Sequence, residues 1–191
     1  MAKLFYVMGA SGAGKDSILD YARHHLAEDS SVLFAHRYIT RPADAGGENH
    51  RALSESEFML RSQANCFAMQ WHSHGLHYAV GKEVDDWLAR GLSVVVNGSR
   101  QYLAEALVLY PFINPVLIQV DNDKLAERLL KRGRETAKEI NERLLKRENE
   151  TLVTHPNLIT IDNNKTIDDS GKQFLNEIYR LTAPKHRALT S

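Results

Sequence analysis

A chain of 191 residues, 43% of them hydrophobic, has the size of one domain and enough apolar material for a substantial core, so the sequence predicts a single domain over residues 1–191. Its 24 Lys plus Arg balance 24 Asp plus Glu, which excludes the global positive field that draws proteins onto nucleic acid or an anionic membrane; affinity for anions has to come from local clustering. No apolar run approaches the roughly 20 residues of a membrane-spanning helix. The single cysteine, Cys66, cannot close an internal disulfide, and the opening segment 3–8 looks like a strand instead of a basic, apolar leader, which leads us to expect a soluble protein of the reducing cytoplasm.

In chain order, an apolar run at residues 4–8 reads as a buried strand and is followed by a helical stretch at 15–26 and a second strand at 32–35. Residues of about 37–80 break this rhythm: they are rich in His, Arg, Gly and aromatics, and hold a helical piece at 55–63 and a strand-like piece at 67–71. The alternation then resumes with helix 82–90, strand 92–96, helix 102–109, strand 116–120, helices 123–132 and 137–152, a weaker strand 158–161 and helix 167–181, before a tail expected to fray. Strands alternating with helices imply crossover units and a central parallel sheet, an α/β fold. Ligands of such sheets bind outside the carboxyl ends of the strands, and the 37–80 segment is expected to form a small inserted subdomain over that edge.

Between the first strand and the first helix, Gly9, Ala10, Ser11, Gly12, Ala13, Gly14 and Lys15 satisfy the first seven positions of the Walker A pattern. Glycines let the backbone curl so that successive N–H groups face a β-phosphate, the helix N-terminus adds positive potential, and the lysine spans the β- and γ-phosphates. The motif predicts a three-layer P-loop NTPase fold with ATP as co-substrate. The Ser or Thr expected after the lysine is Asp16, with Ser17 next in line. Either these two hold Mg2+, directly or through its water shell, or Asp16 only stabilises the helix N-terminus.

Arg128 and Arg132 lie four residues apart on one predicted helix, and Arg143 and Arg147 repeat the spacing on the next, so each pair shares a helical face. A polar connection opened by Gly133 joins them, which suggests a lid over about 132–143 that closes guanidinium groups onto the transferring phosphoryl oxygens. Lys15, Arg132 and Arg143 are the expected catalytic residues, with Arg128 and Arg147 ranked behind. The competing reading of these arginines is a solvated face laced with ion pairs to Glu127, Glu135, Glu139, Glu142 and Glu148.

The early P-loop, Ile39-Thr40-Arg41, the stretch from Ser54 to Phe58, Gly75 to Tyr78, and Glu127-Arg128-Leu129 through Asn141-Glu142-Arg143-Leu144 resemble the guanylate kinase family over about residues 4–150. The chain departs from that family where GMP is read: the second arginine after Arg41-Pro42 is missing, a conserved tyrosine is replaced near His50, and the guanine-reading carboxylate is replaced near Met69. Leaving the base's donors unpaired costs about 1–3 kcal/mol per buried group, which argues against GMP. His36-Arg37-Tyr38-Ile39-Thr40-Arg41, Glu48-Asn49-His50, Trp71-His72 and Val96-Asn97-Gly98-Ser99-Arg100 are closer to the signatures of the ribose 1,5-bisphosphate phosphokinases, as is Lys15-Asp16-Ser17. That resemblance implies transfer of the ATP γ-phosphoryl group to ribose 1,5-bisphosphate, giving 5-phospho-α-D-ribose 1-diphosphate and ADP within phosphonate breakdown. It assigns the acceptor to Arg37, Arg41, Glu48, His50, His72, Tyr78, Asn97 and Arg100. A sugar bisphosphate offers two anionic ends and no base, which suits a pocket rich in Arg and His. Two other readings stay open: a guanylate-type nucleoside monophosphate kinase, and a catalytically inactive guanylate kinase-like module that binds peptides. The oligomeric state, a homodimer included, is left open too.

Overall fold

The computed structural model describes residues 2–29, 31–43, 48, 50–133, 136–148 and 153–183, with the backbone alone for 132 and 146–148. Five parallel strands form the main sheet: β1 (Leu4–Gly9), β2 (Val32–Phe34), β7 (Ser93–Asn97), β8 (Ile113–Gln119) and β9 (Ile159–Asp162), in the spatial order β2-β7-β1-β8-β9. From β1 the chain runs to the edge strand β2, returns to β7 between β2 and β1, and then crosses to β8 and β9 on the other side, so the direction changes at β1, whose carboxyl end carries the glycine-rich loop. That reversal is where open α/β sheets form their ligand crevice.

The central strands read as unbroken apolar runs because both faces are covered. Alternation divides them into two cores. Phe5 and Val7 face a cluster with Ile18, Leu19 and Ala22 of α1 (Lys15–His25), Leu125 and Leu129 of α5 (Asn122–Arg132), Ile140 of α6 (Ala137–Glu148) and Phe174, Leu175 and Ile178 of α7 (Ile167–Thr182). Leu4, Tyr6 and Met8 face Val84 of α3 (Glu83–Ala89) and Leu103 and Ala106 of α4 (Leu103–Leu109), together with Met69 and Val80 of a second sheet. Helix α7 starts on a capping box in which Thr166 and Asp169 satisfy each other's backbone N–H groups.

That second sheet comes from the segment that broke the rhythm: β3 (Arg37–Ile39), β4 (Arg51–Ala52), β5 (Phe67–Ser73) and β6 (Leu76–Gly81), ordered β4-β3-β6-β5 and flanked by α2 (Glu55–Gln63). Its hairpin turns on His74 and Gly75, both at positive φ (51° and 73°), the conformation a two-residue turn between twisted strands demands. The predicted elements recur with small shifts. Strand β8 begins at Ile113 and not 116, because Asn114 and Pro115 interrupt the apolar run that marks a buried strand; both nonetheless pair with β1. Helix α6 is described to Glu148, and the predicted continuation to 152 and the tail from 184 lie outside the described residues.

Gly98, just after β7, lies against the ring of Tyr6, which is fully buried and whose hydroxyl both donates to Ser99 O and accepts from Ser99 N–H, each at 2.9 Å. A Cβ at position 98 would stand 2.2 Å from the ring. Replacing Gly98 with Ala is therefore expected to destabilise the fold by about 1–3 kcal/mol through overpacking, read as a lower urea midpoint with an unchanged slope.

Candidate active site

The glycine-rich loop closes tightly because Gly12 and Gly14 sit at φ 89° and 90°, in the left-handed region where a side chain is strained. Space forbids a side chain as well, since a Cβ on Gly14 would come within 2.3 Å of Asn163 Nδ2. Asn163 follows β9 and is fully buried; its Nδ2 donates to Ala13 O at 2.6 Å, and its Oδ1 accepts from Ser170 Oγ at 2.8 Å. Ala13 is buried under the loop. Lys15, at the start of α1, folds across its own loop and donates to Gly9 O at 2.9 Å and Ala10 O at 3.3 Å.

The loop forms one wall of a cleft of about 1020 Å3, at the upper end of the roughly 300–1,000 Å3 usual for a single ligand. Seven Lys and Arg residues line it against five carboxylates, a local excess in a chain with no net charge. The acceptor-side residues Arg37, Arg41, Glu48, Tyr78 and Arg100 face the same cleft as Gly9, Ala10, Ser11, Gly12, Gly14, Lys15, Asp16 and Ser17. They converge because β3 and β6 carry the second sheet over the carboxyl edge of β1 and β7.

Arg37 and Glu48 form a two-pronged ion pair, with Nε donating to Oε1 at 2.6 Å and Nη2 meeting Oε2, at side-chain exposures of only 13% and 11%. Burial pulls the Arg37 guanidinium down to about 10, and Asp16 is foremost among the groups opposing that shift, so it remains charged at neutral pH. Asn97 Nδ2 joins the network, donating to Asp16 Oδ1 at 3.1 Å and Glu48 Oε2 at 3.3 Å. Among the described residues, three buried side-chain atoms have no hydrogen-bond partner: Asn97 Oδ1, Arg41 Nε and Arg128 Nη1. Arg41 and Arg128 line the cleft, and Asn97 touches it through Asp16 and Glu48. Unpaired buried polar atoms are costly, and their concentration here marks a surface shaped for a polar ligand.

Two predicted acceptor residues stand elsewhere. His72 is exposed and packs on His77 at 4.9 Å between ring centres, because strand residues alternate and its neighbours Trp71 and Ser73 take the cleft side of β5. His50 is buried, with its ring nitrogens 3.1 Å from Arg41 O and 3.1 Å from Glu48 O, so it ties those two residues together. Among the lid residues, Arg143 lines the cleft, while the side chains of Arg132 and Arg147 lie outside the described residues.

Arg128, ranked low from spacing alone, lines the cleft beside Gly14, and its Nη2 donates to Asn163 O at 2.8 Å. Its helical periodicity carried that possibility but could not separate it from Arg132. Asn163 had no signal at all, since it contacts the loop across 150 residues of chain. Glu139 lines the cleft yet serves mainly as a cap: Thr136 N–H donates to it at 2.7 Å, a bond that lowers its carboxyl below the usual range. Among the described residues, no His, Cys, Asp and Glu cluster forms a ready metal cage, and no helix is long and apolar enough to cross a membrane.

The fold and the cleft define a guanylate kinase-like P-loop protein. The solved guanylate kinase from Anaplasma phagocytophilum superposes with a TM-score of 0.68, covering 96% of this chain and 88% of that one at 14% identity, which establishes the shared fold. No family model matches the chain. Among curated proteins, ribose 1,5-bisphosphate phosphokinase PhnN from Psychromonas ingrahamii is 53% identical over 91% of this chain and 88% of its own length. The protein of the same name from Desulfomicrobium baculatum is 52% identical over 95% and 97%. The chain belongs to the ribose 1,5-bisphosphate phosphokinase family.

The Asn163 side chain ties the loop to Ser170, so Asn163→Ala should take the amide donor from Ala13 O and leave a gap under Gly14, while the Ser170 hydroxyl keeps Asp162 O and Thr166 O and Arg128 keeps the Asn163 carbonyl. We expect a loss of about 1–3 kcal/mol in unfolding free energy, with weaker ATP binding by calorimetry at a temperature where the variant is still folded.

Proposed function

We propose that this protein is an ATP-dependent kinase of the cytoplasm that phosphorylates the 1-phosphate of ribose 1,5-bisphosphate, giving 5-phospho-α-D-ribose 1-diphosphate and ADP. The names of its relatives support the acceptor, and one observation supports the chemistry: the glycine-rich loop shares a single cleft with Arg41 and Arg128, each of which has a buried guanidinium nitrogen without a hydrogen-bond partner. In this reading the chain acts as one domain. The sheet within 37–80 is its acceptor-binding insertion, and the segment about 132–143, joining α5 to α6, is its lid.

The residues divide the work as follows. Backbone N–H groups of Gly9–Lys15 and Lys15 Nζ take the β- and γ-phosphates, with the lysine exchanging its carbonyl partners for phosphate oxygens. Arg41 and Arg37 orient the acceptor phosphate, Arg100 meets a sugar-phosphate group, and Arg128 and Arg143, with Arg132 on the same lid, neutralise charge that spreads over the transferring oxygens. A 1-phosphate oxygen forms the new bond to the γ-phosphorus while the bond to the β,γ-bridging oxygen breaks and its electron pair leaves with ADP. The attacking oxygen is already anionic, so the site needs alignment and charge neutralisation, not a general base. The all-oxygen donor set of Asp16, Ser17, Glu48 and Asn97 Oδ1 fits Mg2+, which Asp16 and Ser17 would hold near the phosphates. Bound there, the ion would offset the negative charge of the phosphate oxygens.

A competing role as an inactive peptide-binding module leaves Lys15 and the buried arginines without a purpose. Purified protein with ATP and Mg2+ should release ADP in the presence of ribose 1,5-bisphosphate and far more slowly with GMP or AMP; turnover of GMP with none of the bisphosphate overturns the assignment. Lys15→Ala should lower kcat by at least about 100-fold. Arg41→Ala should act chiefly on the acceptor, raising its KM about tenfold or more while the KM for ATP stays near wild type. Asp16→Asn should raise the Mg2+ concentration needed for half-maximal ATP binding in a calorimetric titration.

A further inference from the structure

Three aromatic rings and one guanidinium form a continuous stack along the acceptor side of the cleft. Arg37 Cζ lies 5.1 Å from the centre of the Tyr78 ring. Tyr78 stacks on Trp71 with centres 5.6 Å apart and planes 5° from parallel, and Trp71 stacks on Tyr102 at 5.4 Å and 24°. The stack crosses between the two sheets. Trp71 and Tyr78 are a cross-strand pair of β5 and β6, while Tyr102 is the residue before α4, beside the carboxyl end of β7. Tyr102 is held in turn by a hydrogen bond to the Gln70 backbone.

Stacking consumes ring faces. Trp71 is engaged by two stacking partners, Tyr78 and Tyr102, and Tyr78 by two, Trp71 and the Arg37 guanidinium. Trp71 and Tyr78 line the cleft, so what they present to a ligand is their edges, which carry the positive part of the ring quadrupole and favour oxygen over another π-face. A purine held by stacking needs a free face, and sequence-tolerant stacking of a base on an aromatic residue is worth about 1–3 kcal/mol.

We propose that the Arg37–Tyr78–Trp71–Tyr102 stack determines acceptor specificity by exclusion: it keeps the faces of Trp71 and Tyr78, the two large aromatic side chains of the cleft wall, engaged with one another and with their neighbours, so that the site admits an oxygen-rich sugar phosphate and rejects nucleoside monophosphates. This rests on the acceptor reading above and deepens it. Selection in this form needs no group that recognises ribose, only the absence of a slot for a base. Tyr78 and Trp71 are then specificity residues, and Tyr102, at the outer end, is a positioning residue that covers Trp71.

Removing the central ring should open that slot. In Trp71→Ala the faces of Tyr78 and Tyr102 are left with a gap the thickness of the lost indole, and in Tyr102→Ala one face of Trp71 is bared. Each variant should bind GMP and AMP about tenfold or more tightly than wild type by calorimetry, and the ratio of kcat/KM for GMP to that for ribose 1,5-bisphosphate should rise by at least as much. Tyr102→Phe, which keeps the face covered, should bind GMP as wild type does. Folding of each variant is checked by its unfolding transition and by ATP binding. If Trp71→Ala fails that check, Tyr102→Ala decides alone, because it leaves the β5–β6 pair intact. A folded variant with unchanged affinity for GMP overturns the proposal. Wild-type turnover of the bisphosphate, measured in parallel, tests the acceptor assignment separately: its absence alongside a gain of GMP binding in the variants would remove the acceptor and leave the exclusion standing.

Discussion

The loop between β1 and α1 is a backbone turn that side chains are barred from, and the rest of the cleft is arranged around it. Two left-handed glycines curl it tightly, and Asn163 holds it through Ala13 O at 2.6 Å. Because Asn163 is fully buried and bonded to Ser170 as well, the loop inherits the rigidity of the α7 start and of the β9 end. Preorganised donors of this kind stabilise a polyphosphate without having to reorganise as charge moves, which is where most of the advantage of such sites lies.

Charge is distributed by the same logic. The chain as a whole is neutral, yet guanidinium groups gather where the second sheet leans over the carboxyl edge. Burying them is expensive, and the Arg37–Glu48 pair with Asn97 and Asp16 shows how the cost is contained: each carboxylate has a donor, and the donors are shared. The same network connects an acceptor-side arginine to the residue that follows the loop lysine. Whatever displaces Glu48 from Arg37 is therefore felt at Asp16, a physical link between the two halves of the cleft.

The acceptor end differs in kind from the donor end. Backbone geometry dominates at the loop, whereas at β5 and β6 the wall is made of stacked side chains whose faces are spent on one another. The shared guanylate kinase-like fold leaves this wall to the way one hairpin packs against the start of α4, which is where the proposed selection of an acceptor without a base resides.

The amino-acid pattern alone determined the parallel α/β sheet, the phosphate loop and the segment that departs from the strand–helix alternation, because these depend on local properties: apolar runs closed by glycine, helical periodicity and a contiguous motif. The spacing of Arg128, Arg132, Arg143 and Arg147 marked a basic helix pair but could not tell that Arg128 lines the cleft along with Arg143. Tertiary structure alone decided that His72 faces away while Trp71 and Ser73 face the cleft, since that follows from the register of one hairpin, and a shift of one residue would reverse it. It alone brought Asn163 under the loop and Tyr102 onto Trp71, contacts between residues far apart in the chain that leave no periodic trace in the sequence and exist only once both sheets are packed.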